Sequence, residues 1–195
     1  MKNAFLSLCI AGVVAMLSGG SAVAATPVQL SVFDFNAPQD NEVNGVRFPV
    51  IYGKDGGDVK GIDFGIFAYS EMNSLQGVAW SIFPTANRIR NEMSGISFGL
   101  LNWHEGQDTG VNFGFVNFTN NVKGLNGSFL NYSEGYSAAD VGAVSVSQKS
   151  NFQLSFVNVT QQLDGLQIGF INCAKNGFLP CFVLFNFGSA DNQHQ

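Results

Sequence analysis

His104 stands in "NWHEGQD" beside Glu105 and close to Asp108, the one place where an imidazole and carboxylates gather in this chain. Such a trio can in principle move protons. A single histidine among turn carboxylates reads better as a solvated loop, and His194 lies in a polar tail where order is not expected. "YGKDGGD" (52–58) has the glycines and lysine of a phosphate cradle, but no strand–loop–helix pattern surrounds it, so it reads as a glycine-rich hairpin turn. Asp55 with Asp58, and Asp40 with Glu42, match no recognised calcium-loop spacing. Neither histidine has a cysteine or second histidine at zinc-ligand spacing. Asp63 and Asp140 fall inside strand-like stretches and read as carboxylates on a polar strand face. Arg88 and Arg90, in "NRIRNE" (87–92), read as a solvated turn in the longest interior loop. No catalytic, cofactor-binding or metal-ligating residue is assigned, no cofactor is expected, and the chain does not read as an enzyme.

The ends and composition set the compartment. "MKNAFLSLCIAGVVAMLSGGSAVAA" carries Lys2, an apolar run from Ala4 to Leu17, and Ala22-Val23-Ala24, the pattern of a signal peptide cleaved after Ala24 or Ala25. Residues 1–25 are thus expected to be a leader and 26–195 a single domain. Without Lys2, 8 basic residues face 14 acidic ones, a balance that excludes nucleic acid as a partner. Charged residues make up only 12% of the chain while phenylalanine occurs 19 times, which calls for either a large core or a surface facing lipid. Cys173 and Cys181 survive processing and form a possible disulfide in an oxidising compartment.

What must position these residues is a repeat. A nine-residue phrase starts at Gly45, Gly61, Gly77, Gly95, Gly110, Gly124, Ala138, Asn151 and Gly165, at spacings of 16, 16, 18, 15, 14, 14, 13 and 14. Positions two, four and six are mostly apolar, as in Val111, Phe113 and Phe115. Position three is mostly polar, position five is mostly Gly or Ser, and position eight is Asn102, Asn117, Asn131, Asn158 or Asn172 in five copies. The alternation has the strand period, and Asn, Asp, Lys and Gly gather between copies as in turns. "VQLSVFDF" (28–35) and "FLPCFVLFNF" (178–187) add a strand at either end. The fold class is all-β.

"LDGLQIGFINCAKNGFLPCFVLFNF", "VKGLNGSFLN" and "VKGIDFGIF" resemble an uncharacterised bacterial family of exported surface-repeat proteins with tandem G-L-x-I-G-L-I-N repeats. The resemblance covers roughly residues 45–187. It implies export and a surface or envelope location, and no catalytic residue.

Two architectures suit the pattern. The first expectation is an antiparallel up-and-down β-barrel of outer-membrane type, with the Ile/Phe/Leu face toward lipid, polar position-three residues lining a lumen, and position-nine aromatics at the interfaces. The alternative is a two-sided β-solenoid with two motifs per coil, the Phe face packed inside and the asparagines stacked in a ladder at the turns. The functional expectation is a structural envelope or cell-surface protein of the outer membrane with a lipid bilayer as partner. The alternatives are a small passive channel and a secreted binding or adhesion module, and any protein partner stays open.

Overall fold

The computed structural model describes residues 26–33, 35–54, 57–82 and 85–188. The leader, Asp55 and His194 lie outside them. The strands are β1 (Thr26–Phe33), β2 (Phe35–Ala37), β3 (Glu42–Gly53), β4 (Asp58–Ile82), β5 (Ala86–His104), β6 (Gln107–Thr119), β7 (Asn121–Ala174) and β8 (Cys181–Phe187). Their order in one sheet is β2-β1-β3-β4-β5-β6-β7-β8. From β1 through β7 consecutive partners run parallel, and only β2 and β8 pair antiparallel. A barrel of hairpins would need antiparallel neighbours throughout, so the fold is a β-solenoid and the barrel expectation is corrected.

Each repeat makes one coil. Gly95 stands beside Gly110 and Gly110 beside Gly124, with Ile96, Val111 and Leu125 in the next row. Strands longer than one repeat, such as the 25 residues of β4 and the 54 of β7, are chain wound round the axis more than once. The "SEGYS" and "SQKSN" stretches, read from sequence as turns, are continuous strand that bends round the polar edge of the coil, and "TNNVK" leaves the strand only at Asn120.

Position-one glycine is dictated by this stacking. At Gly110 φ is 144°, outside the range of L-residues, and a Cβ would lie 1.9 Å from the Gly95 carbonyl oxygen. The same contact recurs at Gly61, Gly77 and Gly95. Position-five glycine meets the carbonyl of the coil below and the interior amides together: a Cβ on Gly114 would lie 2.7 Å from the Gly99 carbonyl oxygen and 2.9 Å from both Asn102 Nδ2 and Asn117 Oδ1.

The interior itself is polar. Asn87, Asn102, Asn112, Asn117, Asn126, Asn131, Gln153, Asn158, Gln167 and Asn172 are completely buried. At position eight Asn102 Nδ2 donates to Asn117 Oδ1 at 2.8 Å, and Asn117 donates to Asn131 at 3.2 Å. A smaller aliphatic cluster (Val43, Val59, Met72, Leu75, Ala79, Ile89 and Met93) fills part of the early coils. The phenylalanines face outward: Phe115, Phe129, Phe156 and Phe170 are all more than half exposed.

This inverts the expected solenoid, which placed two motifs in a coil and the Phe face inside. The parity breaks at a corner. The ladder pairs Gly99 with Gly114 and Leu101 with Val116 but passes over Leu100 and Phe115 at position six. At the corresponding corner of earlier coils Ile51 and Phe67 take φ of 70° and 52°. Positions six and seven therefore both point outward, and position eight turns inward beside positions three and five.

Cys173 and Cys181 are cross-strand partners of the β7–β8 pair, joined by a disulfide with Cα atoms 4.1 Å apart. At the other end Gln29 Nε2 donates to the carbonyls of Pro38 and Asp40, closing the interior.

Three substitutions test this packing. Gly110→Ala should cost more than about 3 kcal/mol, since it combines backbone strain with a carbonyl clash; a urea midpoint unchanged from wild type would contradict the stacked-glycine account. Asn117→Ala should cost about 2–4 kcal/mol through orphaned amides and a cavity. Phe115→Ser should cost only ~1 kcal/mol, chiefly its stacking on Phe129. The reverse order of unfolding midpoints would show that the Phe face is the core.

Candidate functional site

The residues with possible chemistry are distributed along the solenoid; His104 and Glu105 line one groove, Asp58 and Arg90 another. His104 is buried, not solvated, because β5 carries it past the corner to the inward parity. Its Nδ1 lies 2.7 Å from Asp108 Oδ2, which also accepts from Asn112 Nδ2 at 2.8 Å. His104 Nε2 is buried without a hydrogen-bond partner among the described residues. Glu105, next in sequence, points out and accepts from Arg88 at 2.6 Å. The imidazole and the two neighbouring carboxylates are thus split between inside and outside.

Asp63 and Asp140, expected on an ordinary polar face, are also completely buried. Asp63 accepts from Ser70 Oγ and sits 3.6 Å from Arg47, itself fully buried. Burial pushes the Asp63 carboxyl above its usual range against the pull of Arg47 and Ser70, and burial lowers Arg47. Among the described residues no cation pairs with Asp140. Its Oδ1 accepts from Asn126 at 3.1 Å and Ser137 at 2.6 Å, and its Oδ2 from Gln153 at 3.2 Å. Desolvation outweighs these bonds and raises its pKa.

"NRIRNE" is strand, not a solvated turn. Arg88 bridges Glu71 at 3.5 Å and Glu105 and lies over the Trp103 ring at 5.1 Å; Arg90 pairs with Glu71. Among the described residues no group of three or more His, Cys, Asp or Glu side chains comes together to hold a metal ion.

The concentrated feature is the outer surface. From Val46 to Ile171, every residue at positions two, four, six and seven of the nine coils is aliphatic, aromatic or glycine. The outward rings stack between coils: Phe98 on Phe113 at 5.3 Å, Phe115 on Phe129 at 5.1 Å, and Phe156 on Phe170 at 5.6 Å. Polar and charged side chains collect on the opposite edge, in rows that pair Asn44 with Lys60, Ser94 with Thr109 and Thr109 with Lys123. Between belt and edge lie Trp103, Phe118 and Tyr132 at position nine, lining a shallow groove of about 490 Å³ with Glu105 and Glu134 at its rim.

Magnitude separates this belt from ordinary surface. Phe67, Phe115, Phe129, Phe156 and Phe170 alone, at ~200 Å² each, present on the order of 600 Å². That already equals the largest patch of a typical soluble monomer. The Ile/Phe/Leu face, expected toward lipid in the barrel and inside in the alternative solenoid, is the outside of a solenoid; the signal for the corner was the unbroken apolar pair at positions six and seven.

Comparison with family models, with curated proteins and with solved structures gives no match.

Asp140 supplies a pH test. A carboxyl whose folded pKa is raised contributes full stability below its unfolded value of about 4 and loses it as pH rises through the raised folded value. Asp140→Asn keeps the acceptor for Asn126 and Ser137 without the charge. It should melt higher than wild type at pH 7, and the advantage should vanish on acidification below the ordinary carboxylate range. A lower melting temperature at pH 7 would mean that the buried anion is required.

Proposed function

We propose that this is a structural, non-enzymatic protein of the bacterial envelope, exported to the outer membrane or cell surface and held there by lipid on its apolar belt. The observation that carries this reading is the clean division of the surface into an apolar belt and a polar edge, with amides inside. Water penalises exposed Phe rows at about 25 cal/mol per Å² of apolar surface, and an acyl phase removes that penalty. The interior suits such surroundings because strand pairing between coils and amide bonds such as Asn102 to Asn117 keep much of its hydrogen bonding within the coil, as lipid demands of any chain. The leader pattern ending at Ala22-Val23-Ala24 and the resemblance to exported surface-repeat proteins support the compartment.

A passive channel has less support, because among the described residues the solenoid interior is filled by buried side chains. A secreted adhesion module would also use exposed rows, but water would have to wet them until a partner arrived.

Fractionation of expressing cells tests the reading. The protein should sediment with membranes, resist extraction by high salt and enter solution with detergent. Recovery of monomer in the periplasmic or culture fluid without detergent would overturn it.

A further inference from the structure

We infer that the solenoid is monotopic: its axis lies in the membrane plane, and the corner at positions six and seven is buried deepest in the acyl chains of one leaflet. The inference rests on the lipid-facing reading above and adds orientation and depth to it.

Three observations fix the orientation. Exposed apolar side chains cover one wall of the coil at positions two and four, the corner at six and seven, and the second wall at position nine, where Trp103, Phe118 and Tyr132 stand. Phe67 and Ile171 at position seven, with Phe156 and Phe170 at position six, are exposed on that corner. A second copy with a flat face would cover one side and leave the corner bare, whereas a fluid acyl phase covers all three. The polar edge runs the whole length of the rod, from Glu42 and Lys60 in early coils to Asp164 and Lys175 in late ones. An axis normal to the bilayer would drag charges such as Lys123 through the hydrocarbon, at about 2.5–3.5 kcal/mol for each one at the centre. An axis in the plane leaves all of them in water.

Depth is set by the strand. Positions two to six span four residue steps, roughly 13 Å at about 3.3 Å per residue. One leaflet contributes about 15 Å to a hydrocarbon core of about 30 Å. The belt is therefore one leaflet deep. Trp103 and Tyr132 at position nine lie between belt and polar edge, at the level where amphipathic rings settle in a membrane interface. Glu105 and Glu134, on the rim of the same groove, then face the headgroup layer.

Single-tryptophan variants read the depth directly. In a Trp80→Phe, Trp103→Phe background, tryptophan is placed at the corner along the rod (Ile66→Trp, Phe115→Trp, Phe170→Trp) and on the edge (Gln107→Trp, Gln148→Trp). Full-length mature protein is reconstituted into phosphatidylethanolamine–phosphatidylglycerol vesicles containing lipids brominated near the methyl end or near the headgroup end of the chain. The three corner variants should all be quenched about twofold or more by methyl-end bromine, to the same extent, and the edge variants by neither lipid. Different depths at Ile66, Phe115 and Phe170, graded along the axis, would mean that the rod spans the bilayer and would sink the inference while leaving lipid association intact. Failure of wild type and all variants to float with vesicles would sink the lipid reading as well. Shielded corner tryptophans in a lipid-free oligomer would assign the belt to a second copy and overturn both.

Discussion

The structure depends on parallel, in-register stacking close enough that one glycine's α-carbon lies over the carbonyl of the glycine one coil earlier. Cross-β spacing of about 4.8 Å leaves no room there for a Cβ, and the positive φ at Gly45, Gly61, Gly77, Gly95 and Gly110 makes the position unsuitable for L-residues. Once the coils are locked in this register, identical residues meet identical residues. An interior asparagine then has a donor facing the acceptor of its copy, and the amides form ladders rather than a set of buried penalties. A polar core is stable here only because the register is exact to the residue.

Much of this was legible. The repeat starts, the all-β class and an asparagine ladder were readable from spacing and composition, as was the shared face of positions three and five. What misled was parity carried through the corner. Alternation says which residues share a face as long as the strand is straight, and it placed Asn117 with Phe115. The chain bends at position six, so Phe115 and Val116 both turn outward and Asn117 turns in. Alternating apolar and polar rows describe a lipid-facing barrel strand and a lipid-facing solenoid face equally well. Only the direction of neighbouring strands separates them, and direction is a non-local property. The same bend explains His104. Read as a loop residue, it has the interior parity of Thr119 and Ser133, the residues that take its place in later coils.

Coil length then decides what the interior can hold. Repeats spaced by 16 to 18 residues enclose Met72, Leu75, Ile89 and Met93, side chains that need a wide cross-section. Where the spacing falls to 13 or 14, the buried positions turn to Ser137, Ser145, Ser147 and Ser150, with Val122 and Leu163 the larger aliphatic residues among them. Shorter coils bring the two walls together, and small hydroxyls fit where methionine would clash. The buried Arg47–Asp63 pair lies in the wider part, where Ser31 and Ser70 reach the guanidinium. The solenoid thus tapers from a mixed aliphatic core to one made of hydroxyls and amides, while its outer rows stay apolar throughout. Interior and exterior vary independently, so the constancy of the outer rows is not a by-product of packing.

The ends point the same way. An open parallel edge would recruit further coils from another molecule, and an apolar rod that grew end to end would be a fibre. Here β2 folds back on β1 through Leu30–Ala37 to Val32–Phe35, and β8 folds back on β7 from Leu166 to Cys173, where the disulfide fastens it. Antiparallel caps interrupt the in-register ladder that a further coil would need. The proposed lipid partner would meet the rod laterally, need no register and conform to a bent apolar surface, which suits blunted edges and uncovered sides. A hydrocarbon phase meets all three requirements, whereas a rigid protein face would have to match a corner and two walls at once.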